Sequence, residues 1–444
     1  MIVPRSRLLF WVAAIILPFA LIGAVVPATA VVSLLFIGGL LLVAIADAVG
    51  TRNSLAGIEV ELPRITRMSK DRDAKLESHI RNDGQRQKKL RVALDWPREI
   101  KSDSEELEAI LPSQSVRSRL VWPCRPLKRG RYNLNSAFVE TSSPLGFWSV
   151  RTTLPAQSEI RVYPNLLTER KNLAALFLNR GRFGLHAHRQ IGKGRDFEKL
   201  REYSAGDSYD EIHWKATARR GKPITKVFQI EKTQEVYVIV DASRLSARKI
   251  NQDAEGDSAL ERFVTAALVL GLAAEQQGDL FGLLTFTDKV EKFVRAKNGQ
   301  SHYSACRDAL YTLEQKIVTP DFDELCTFIR LRLRRRALLV FLTALDDPTI
   351  AENFVRSVEL IRRQHLVLVN MLQPSDVAPL FSNSDVNGVD DLYQRLGGHL
   401  RWQRLRELQK TLQRRGVQFS LLGNERLSAE LVSQYLNVKQ RQLL

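Results

Sequence analysis

Cysteine is scarce in this chain of 444 residues. Cys124, Cys306 and Cys326 are the only three, and none belongs to a Cys-x-x-Cys pair. An odd, scattered set excludes a disulfide framework. It fits a reducing compartment without requiring one. Charge is missing from a longer stretch, since no Asp, Glu, Lys or Arg lies between Arg7 and Asp47. A phosphate loop is also missing. Gly192-Lys193-Gly194 lacks the second glycine followed by Lys and Ser/Thr that such a loop needs. Acidic residues are in deficit, with Asp+Glu 49 against Lys+Arg 66, a net charge of +17. A basic surface of this kind suits anionic lipid headgroups, nucleic acid or an acidic protein. Length and a hydrophobic content of 44% suit two or three domains with sizeable cores.

The uncharged run is about twice as long as one membrane-crossing helix requires. Pro27 stands in its middle, between Gly23 and Thr29. The pattern predicts two spans, near Leu8 to Val26 and Ala28 to Ala46, joined by a tight turn. Two helices are the allowed solution because only helices satisfy their own backbone groups in lipid. Arg5 and Arg7 precede the first span, and Arg52, Arg64 and Arg67 follow the second. The positive-inside rule then puts both ends in the cytoplasm. A competing reading is a signal peptide cleaved at Ala28-Thr29-Ala30. The apolar run from Val31 to Ala46 would still anchor the remainder.

Residues 1–50 are therefore read as a transmembrane hairpin. From 57 to 165 the pattern changes to short alternating segments, such as Ile58 to Ile65, Lys75 to Asn82, Leu90 to Trp96 and Val116 to Trp122. Turn residues such as Asn82-Asp83-Gly84 and Ser142-Ser143-Pro144 separate them. This predicts an immunoglobulin-like β-sandwich. Residues 166–232 read as a linker and signature segment. From 233 to 444, apolar strands alternate with helices, which predicts an α/β doubly wound domain. Its strands are expected at Val236 to Val240, Phe281 to Phe286, Ala337 to Leu342, Leu366 to Met371 and Val417 to Leu422. Ligands of such sheets bind beyond the carboxyl ends of the strands. Asp241-Ala242-Ser243 and Thr343-Ala344-Leu345-Asp346-Asp347 fall there, and their oxygens suit a hard cation such as magnesium.

The Asp241 stretch resembles a von Willebrand factor type A domain, whose first strand is followed by Asp-x-Ser-x-Ser. Asp241 and Ser243 match. Leu245 replaces the second serine, Ser246 is one residue out of register, and Ala344 stands where a later Asp is aligned. The family's Thr ligand falls near Ser301 or His302. The resemblance therefore implies a degenerate site at Asp241 and Ser243, with no cofactor expected beyond weakly held Mg2+.

A second stretch runs Gly192-Lys193-Gly194-Arg195-Asp196-Phe197-Glu198-Lys199-Leu200-Arg201-Glu202-Tyr203, then Gly206-Asp207 and Ile212-His213-Trp214-Lys215-Ala216-Thr217-Ala218-Arg219. It resembles the signature of the bacterial "domain of unknown function 58" family. Arg129-Gly130-Arg131-Tyr132 and Ser143-Pro144-Leu145-Gly146-Phe147 resemble that family's upstream sandwich. The resemblance implies a bacterial inner-membrane protein with cytoplasmic domains. It also implies association with a MoxR-type AAA+ ATPase and no established enzymatic activity, so a scaffold or adaptor, not an enzyme, is the first hypothesis. The signature residues Arg201, Tyr203, Asp207, Trp214, Lys215 and Arg219 become the candidate binding set. Trp214 is expected to be structural, and Arg201 to contact a partner.

Two other functions compete: a metal-dependent hydrolase at Asp241, and a membrane-associated nucleic-acid binder. Absent ligands weigh against the first, and the lack of a recognisable nucleic-acid fold against the second. The basic run Arg330, Arg332, Arg334, Arg335 and Arg336 reads as a solvated helix end. His186 and His188 have no evident metal partner nearby and read as exposed histidines.

Overall fold

The computed structural model describes all residues except 86, 114, 168, 170, 172, 175–190, 205–206, 230–233, 251–257, 375, 381–388 and 442–444. His186 and His188 lie outside the described residues. The chain divides into two compact units, Met1–Asn165 and Leu166–Leu444.

The first unit begins with a short strand, β1 (Ile2–Pro4). Two helices follow, α1 (Ser6–Val25) and α2 (Ala30–Thr51), both long and apolar enough to cross a membrane. They are compatible with a membrane anchor. The break falls at Val26–Thr29, around Pro27, as the sequence predicts. Gly23 lets the helices approach, because a Cβ there would meet Ser33 at 3.2 Å. Phe19 stacks on Phe36 with ring centroids 4.7 Å apart.

The second helix outruns its predicted end at Ala46. Asp47 is buried within it and its Oδ1 accepts the Leu145 N–H at 3.3 Å. Thr51 then donates its hydroxyl to the Asp47 carbonyl at 2.5 Å. The helix runs on through Asp47, whose Oδ1 has the Leu145 amide while Oδ2 has no hydrogen-bond partner among the described residues.

Two sheets follow and share one core. The strands β2 (Ile58–Glu61), β3 (Ile65–Ser69), β4 (Ala74–Asn82), β5 (Lys88–Leu94), β6 (Ile100–Ser102), β7 (Glu106–Leu111), β8 (Arg117–Pro126), β9 (Gly130–Ser142) and β10 (Trp148–Tyr163) form them. One sheet has the order β1-β10-β9-β5-β7, with β3 also on β10. The other is β2-β4-β8-β6. The predicted single strand from Ile58 to Ile65 is two strands in different sheets, divided at Pro63, which cannot donate to a ladder. Alternate residues of both sheets, among them Leu76, Ile80, Leu90, Trp122 and Ile160, fill the shared core.

In the second unit, β11 (Ile191–Glu202) pairs antiparallel with β12 (Ile224–Gln229). The short helix α3 (Trp214–Arg220) lies between them in sequence. The main sheet follows. Its strands are β13 (Glu235–Asp241), β14 (Leu280–Phe286), β15 (Val290–Lys297), β16 (Leu338–Leu342), β17 (Leu366–Leu372) and β18 (Gln418–Leu422), in the order β15-β14-β13-β16-β17-β18. All neighbours are parallel except β15, which pairs antiparallel with β14 at the edge.

The helices α4 (Ala259–Gln276), α5 (Gln300–Leu310) and α9 (Leu427–Gln440) cover one face, with Val236, Val238 and Val240 beneath them. The other face carries α6 (Phe322–Arg332), α7 (Pro348–Ser357) and α8 (Val389–Arg414) over Tyr237, Ile239 and Phe341. Apolar runs without alternation are what strands covered on both faces require. Asp279, almost fully buried, accepts from Tyr435 and pairs with Lys439 at 2.9 Å, fastening α9 to the amino-terminal edge of the sheet.

Candidate functional site: the Asp241 loop and the Trp214 hairpin

The central strand β13 delivers Asp241 to the carboxyl end of the sheet, where its side chain is fully buried. Its Oδ2 accepts the hydroxyl of Thr343, the first residue after β16, at 2.5 Å. Its Oδ1 accepts the Ser243 N–H at 2.8 Å. Ser243 is buried too, and its carbonyl accepts the Ser246 hydroxyl at 2.8 Å. Burial pushes the Asp241 carboxyl above the usual range, and the bonds from Thr343 and Ser243 offset this in part.

The carboxylates beyond β16 are tied to guanidinium groups of the same loop. Arg248 meets Asp346 at 2.9 Å, and Arg244 meets Asp347 at 3.6 Å. Ser301 and His302 do not complete this site. The ring Nε2 of His302 lies 2.8 Å from the Phe281 carbonyl, near the amino end of β14 and so at the opposite end of the sheet. The segment after α5 reaches Asp241 instead, where Lys316 N–H donates to the Ala242 carbonyl at 2.8 Å.

Among the described residues, no group of three or more His, Cys, Asp or Glu is placed to hold a metal ion. Both Asp241 oxygens are engaged by protein donors, and Leu245 and Ala344 offer no side-chain oxygen. This donor set does not fit a tightly held hard cation. A cavity of about 320 Å3 opens beside the loop, lined in part by Leu245, Arg248, Ala344, Met371 and Gln373. It lies where the chain switches from one side of β13 to the other, the usual crevice of such sheets. Arg248 and Gln373 were not singled out by the sequence reading. Their positions just beyond strand ends were the available signal.

The signature residues gather around the β11–β12 hairpin. Arg201, at the end of β11, donates from Nη2 to Asp207 Oδ1 at 2.6 Å and from Nη1 to Ser204 Oγ at 3.1 Å. Asp207 Oδ2 accepts the Ser204 N–H at 3.0 Å. These three bonds close the turn that leads out of the strand. Arg201 Nε is buried and has no hydrogen-bond partner among the described residues. The His213 ring caps α3, its Nδ1 accepting the Ala216 N–H at 3.1 Å. The Thr217 hydroxyl accepts the Ile224 N–H at 3.0 Å, which joins the helix to β12. Gly221 ends α3 at φ +68°, a left-handed conformation that glycine adopts without strain.

Trp214 does not pack into a core as expected, and Arg201 is tied within the segment. Trp214 is 69% exposed and Tyr209 is 75% exposed. Lys215 and Arg219 are only partly covered or exposed beside them. The Tyr203 ring lies 5.9 Å from that of Tyr209, and their hydrogen bond raises the Tyr203 hydroxyl above its usual value. Arg201 does the internal tying, because the carboxylate six residues on accepts its Nη2 while Ser204 accepts Nη1. Trp214 faces out because His213, one residue earlier, turns back to cap the helix.

No curated protein is similar to the chain at a significant level. Among solved structures, the conserved hypothetical protein BatB from Bacteroides thetaiotaomicron aligns at 14% identity. The match covers 47% of this chain and 99% of that one, with a TM-score of 0.29. The CARDB domain of a Pyrococcus furiosus protein aligns at 15% identity over 24% of this chain and 91% of its own, with a TM-score of 0.17. Neither overlap constrains the fold in detail. The family model described as "Protein of unknown function DUF58" matches residues 199–382, from the last turns of the hairpin strand through the Asp241 loop to beyond β17, and it supports a DUF58 family protein.

Proposed function

We propose that this chain is a membrane-tethered adaptor that binds another protein through the hairpin carrying Tyr209 and Trp214. One observation carries the reading. Two large aromatic side chains stand in solvent beside Lys215 and Arg219, on a segment whose own ion pair and helix cap are directed inward. Exposed Trp and Tyr beside basic side chains are the residue types that dominate binding surfaces. The basic side chains favour an acidic partner.

The resemblance of the signature supports a MoxR-type AAA+ ATPase as that partner. The apolar hairpin and its basic flanks support an inner-membrane anchor with the folded domains in the cytoplasm. The doubly wound sheet with Asp241-x-Ser243 after its first strand supports a degenerate type A domain used for contact, not for catalysis.

The test is capture of a MoxR-type ATPase from the same genome by the full-length chain in detergent. Trp214→Ala should weaken capture roughly thirtyfold, the loss of about 2 kcal/mol typical of a truncated interface aromatic. Its melting temperature should stay at the wild-type value. Unchanged capture would remove the hairpin from the interface. A reporter fused after Leu444 should behave as cytoplasmic, and a periplasmic signal would overturn the sidedness.

A further inference from the structure

Helix α8 carries two apolar rows. The inner row is seated on the sheet: Gly398, Leu405 and Leu412 are buried, and Trp402 and Leu408 pack against the same core. At about 100° per residue, Val389, Leu392, Tyr393, Leu396 and Leu400 fall roughly half a turn away. All five are exposed, Val389 by 69% and Tyr393 by 67%. The helix cannot roll to cover them. A Cβ at Gly398 would stand 2.0 Å from the Asp376 carbonyl oxygen, so the inner contact is already as close as glycine allows. Arg401 also holds Asp376, at 2.5 Å. Exposed apolar residues scattered singly need no explanation, but five in one row over three turns do.

The charges beside the row indicate what fits it. Asp390 stands at its amino end and Arg404 beyond its carboxyl end, whereas Asp391 lies on the inner side, paired with Arg395 at 3.0 Å, and Arg406 lies over the Trp402 ring. Asp390 and Arg404 are both exposed and, by the helical repeat, lie within about 40° of each other on one flank of the row. A second helix of the same sequence, turned end for end, brings its Arg404 to Asp390 and its Leu396 to Leu396. It also opposes the two helix dipoles.

We propose that the Val389–Leu400 face of α8 binds the same face of a second copy of this chain, as an antiparallel pair about a twofold axis. Three turns of helix bury less than the ~1,200–2,000 Å2 of a stable interface. The pair therefore depends on the effective concentration that a shared bilayer supplies. Pairing of this kind is independent of the adaptor role.

Disulfide cross-linking of the full-length chain in its membrane tests it. The three native cysteines are buried. Leu396→Cys should give a covalent dimer on mild oxidation, while Gln413→Cys, exposed on the same helix but off the row, should not. In the Leu396→Cys background, Asp390→Arg should lower the cross-linked fraction about threefold, as loss of an exposed ion pair allows. Adding Arg404→Asp should restore it. Equal cross-linking of the Leu396→Cys and Gln413→Cys variants, or no rescue by the double reversal, would overturn the proposal. So would a Leu396→Cys variant that forms no dimer while its new thiol is shielded from a water-soluble maleimide, which would place lipid or another protein on the face.

Discussion

The Asp241 loop and the Trp214 hairpin use charge in opposite directions. Around Asp241 a carboxylate in a motif suited to a cation spends both oxygens on Thr343 and Ser243, and the nearby aspartates are held by Arg248 and Arg244. Around Trp214 the ion pair of Arg201 with Asp207 is also internal, yet its effect is to hold out a segment whose aromatic side chains face solvent. A charged residue in a signature is thus poor evidence of contact by itself. Its neighbours decide whether it binds a partner or holds the group that does.

Of the two sites, the larger effect is expected at the loop, from Asp241→Ala. It strands the buried Thr343 hydroxyl and Ser243 N–H and should cost about 3 kcal/mol in chemical denaturation. A loss under about 1 kcal/mol would show that the loop does not depend on the carboxylate. Next comes His365, buried like Asp241 but with no partner for either ring nitrogen among the described residues. Burial pushes its pKa from 6.5 down to about 4. A depressed folded value means that stability is present above pH 6.5 and is lost as pH falls toward 4. Over that window the wild type should lose on the order of 2 kcal/mol more than His365→Gln. Parallel denaturation curves at every pH would refute it.

Asp241 has the opposite sign. Its folded pKa is raised, so its contribution is complete below the unfolded value and falls as pH rises through the folded one. Asp241→Asn should therefore gain on the wild type with rising pH, read as a difference in Tm. The smallest effect is expected at the hairpin. Trp214→Ala should change stability by less than about 0.5 kcal/mol. Trp122→Ala, which empties the sandwich core, should cost about 3–5 kcal/mol. Similar losses for the two tryptophans would erase the comparison.

Much of the architecture was readable from residue patterns. The uncharged run with Pro27 at its centre located the helix pair. The apolar runs Val236 to Val240 and Ala337 to Leu342 located the two central strands within a residue or two. The edge strand β15 was missed because Val290 to Lys297 mixes Lys292, Arg295 and Lys297 with its apolar residues, and an edge tolerates that. The spacing of apolar residues from Ala305 to Lys316 suits a helix over that whole segment. The helix ends at Leu310, and Leu313 N–H bonds to the Leu310 carbonyl instead.

The candidate site was legible at Asp241, which is fixed by its place at a strand end. It was not legible at Ser301 and His302, because residue spacing does not report which end of a sheet a helix reaches. Nor could spacing distinguish Trp214 from a core residue. Its exposure depends on His213 and Thr217 choosing backbone partners, and residue type alone does not fix that choice.

The apolar helix pair is joined to the sandwich by more than the chain that connects them. β1 pairs with β10 just before α1 begins, the Trp148 indole donates to the Ala44 carbonyl at 2.8 Å, and Leu8, Ala44 and Phe147 pack together. These contacts tie the two helices to the sandwich directly. A bilayer whose thickness differs from the apolar length of α1 and α2 makes helices lean. If the two helices cross a bilayer, such a lean would be passed to the sandwich through these contacts, and a change in lipid composition would reach the folded domain as a rotation with no ligand involved.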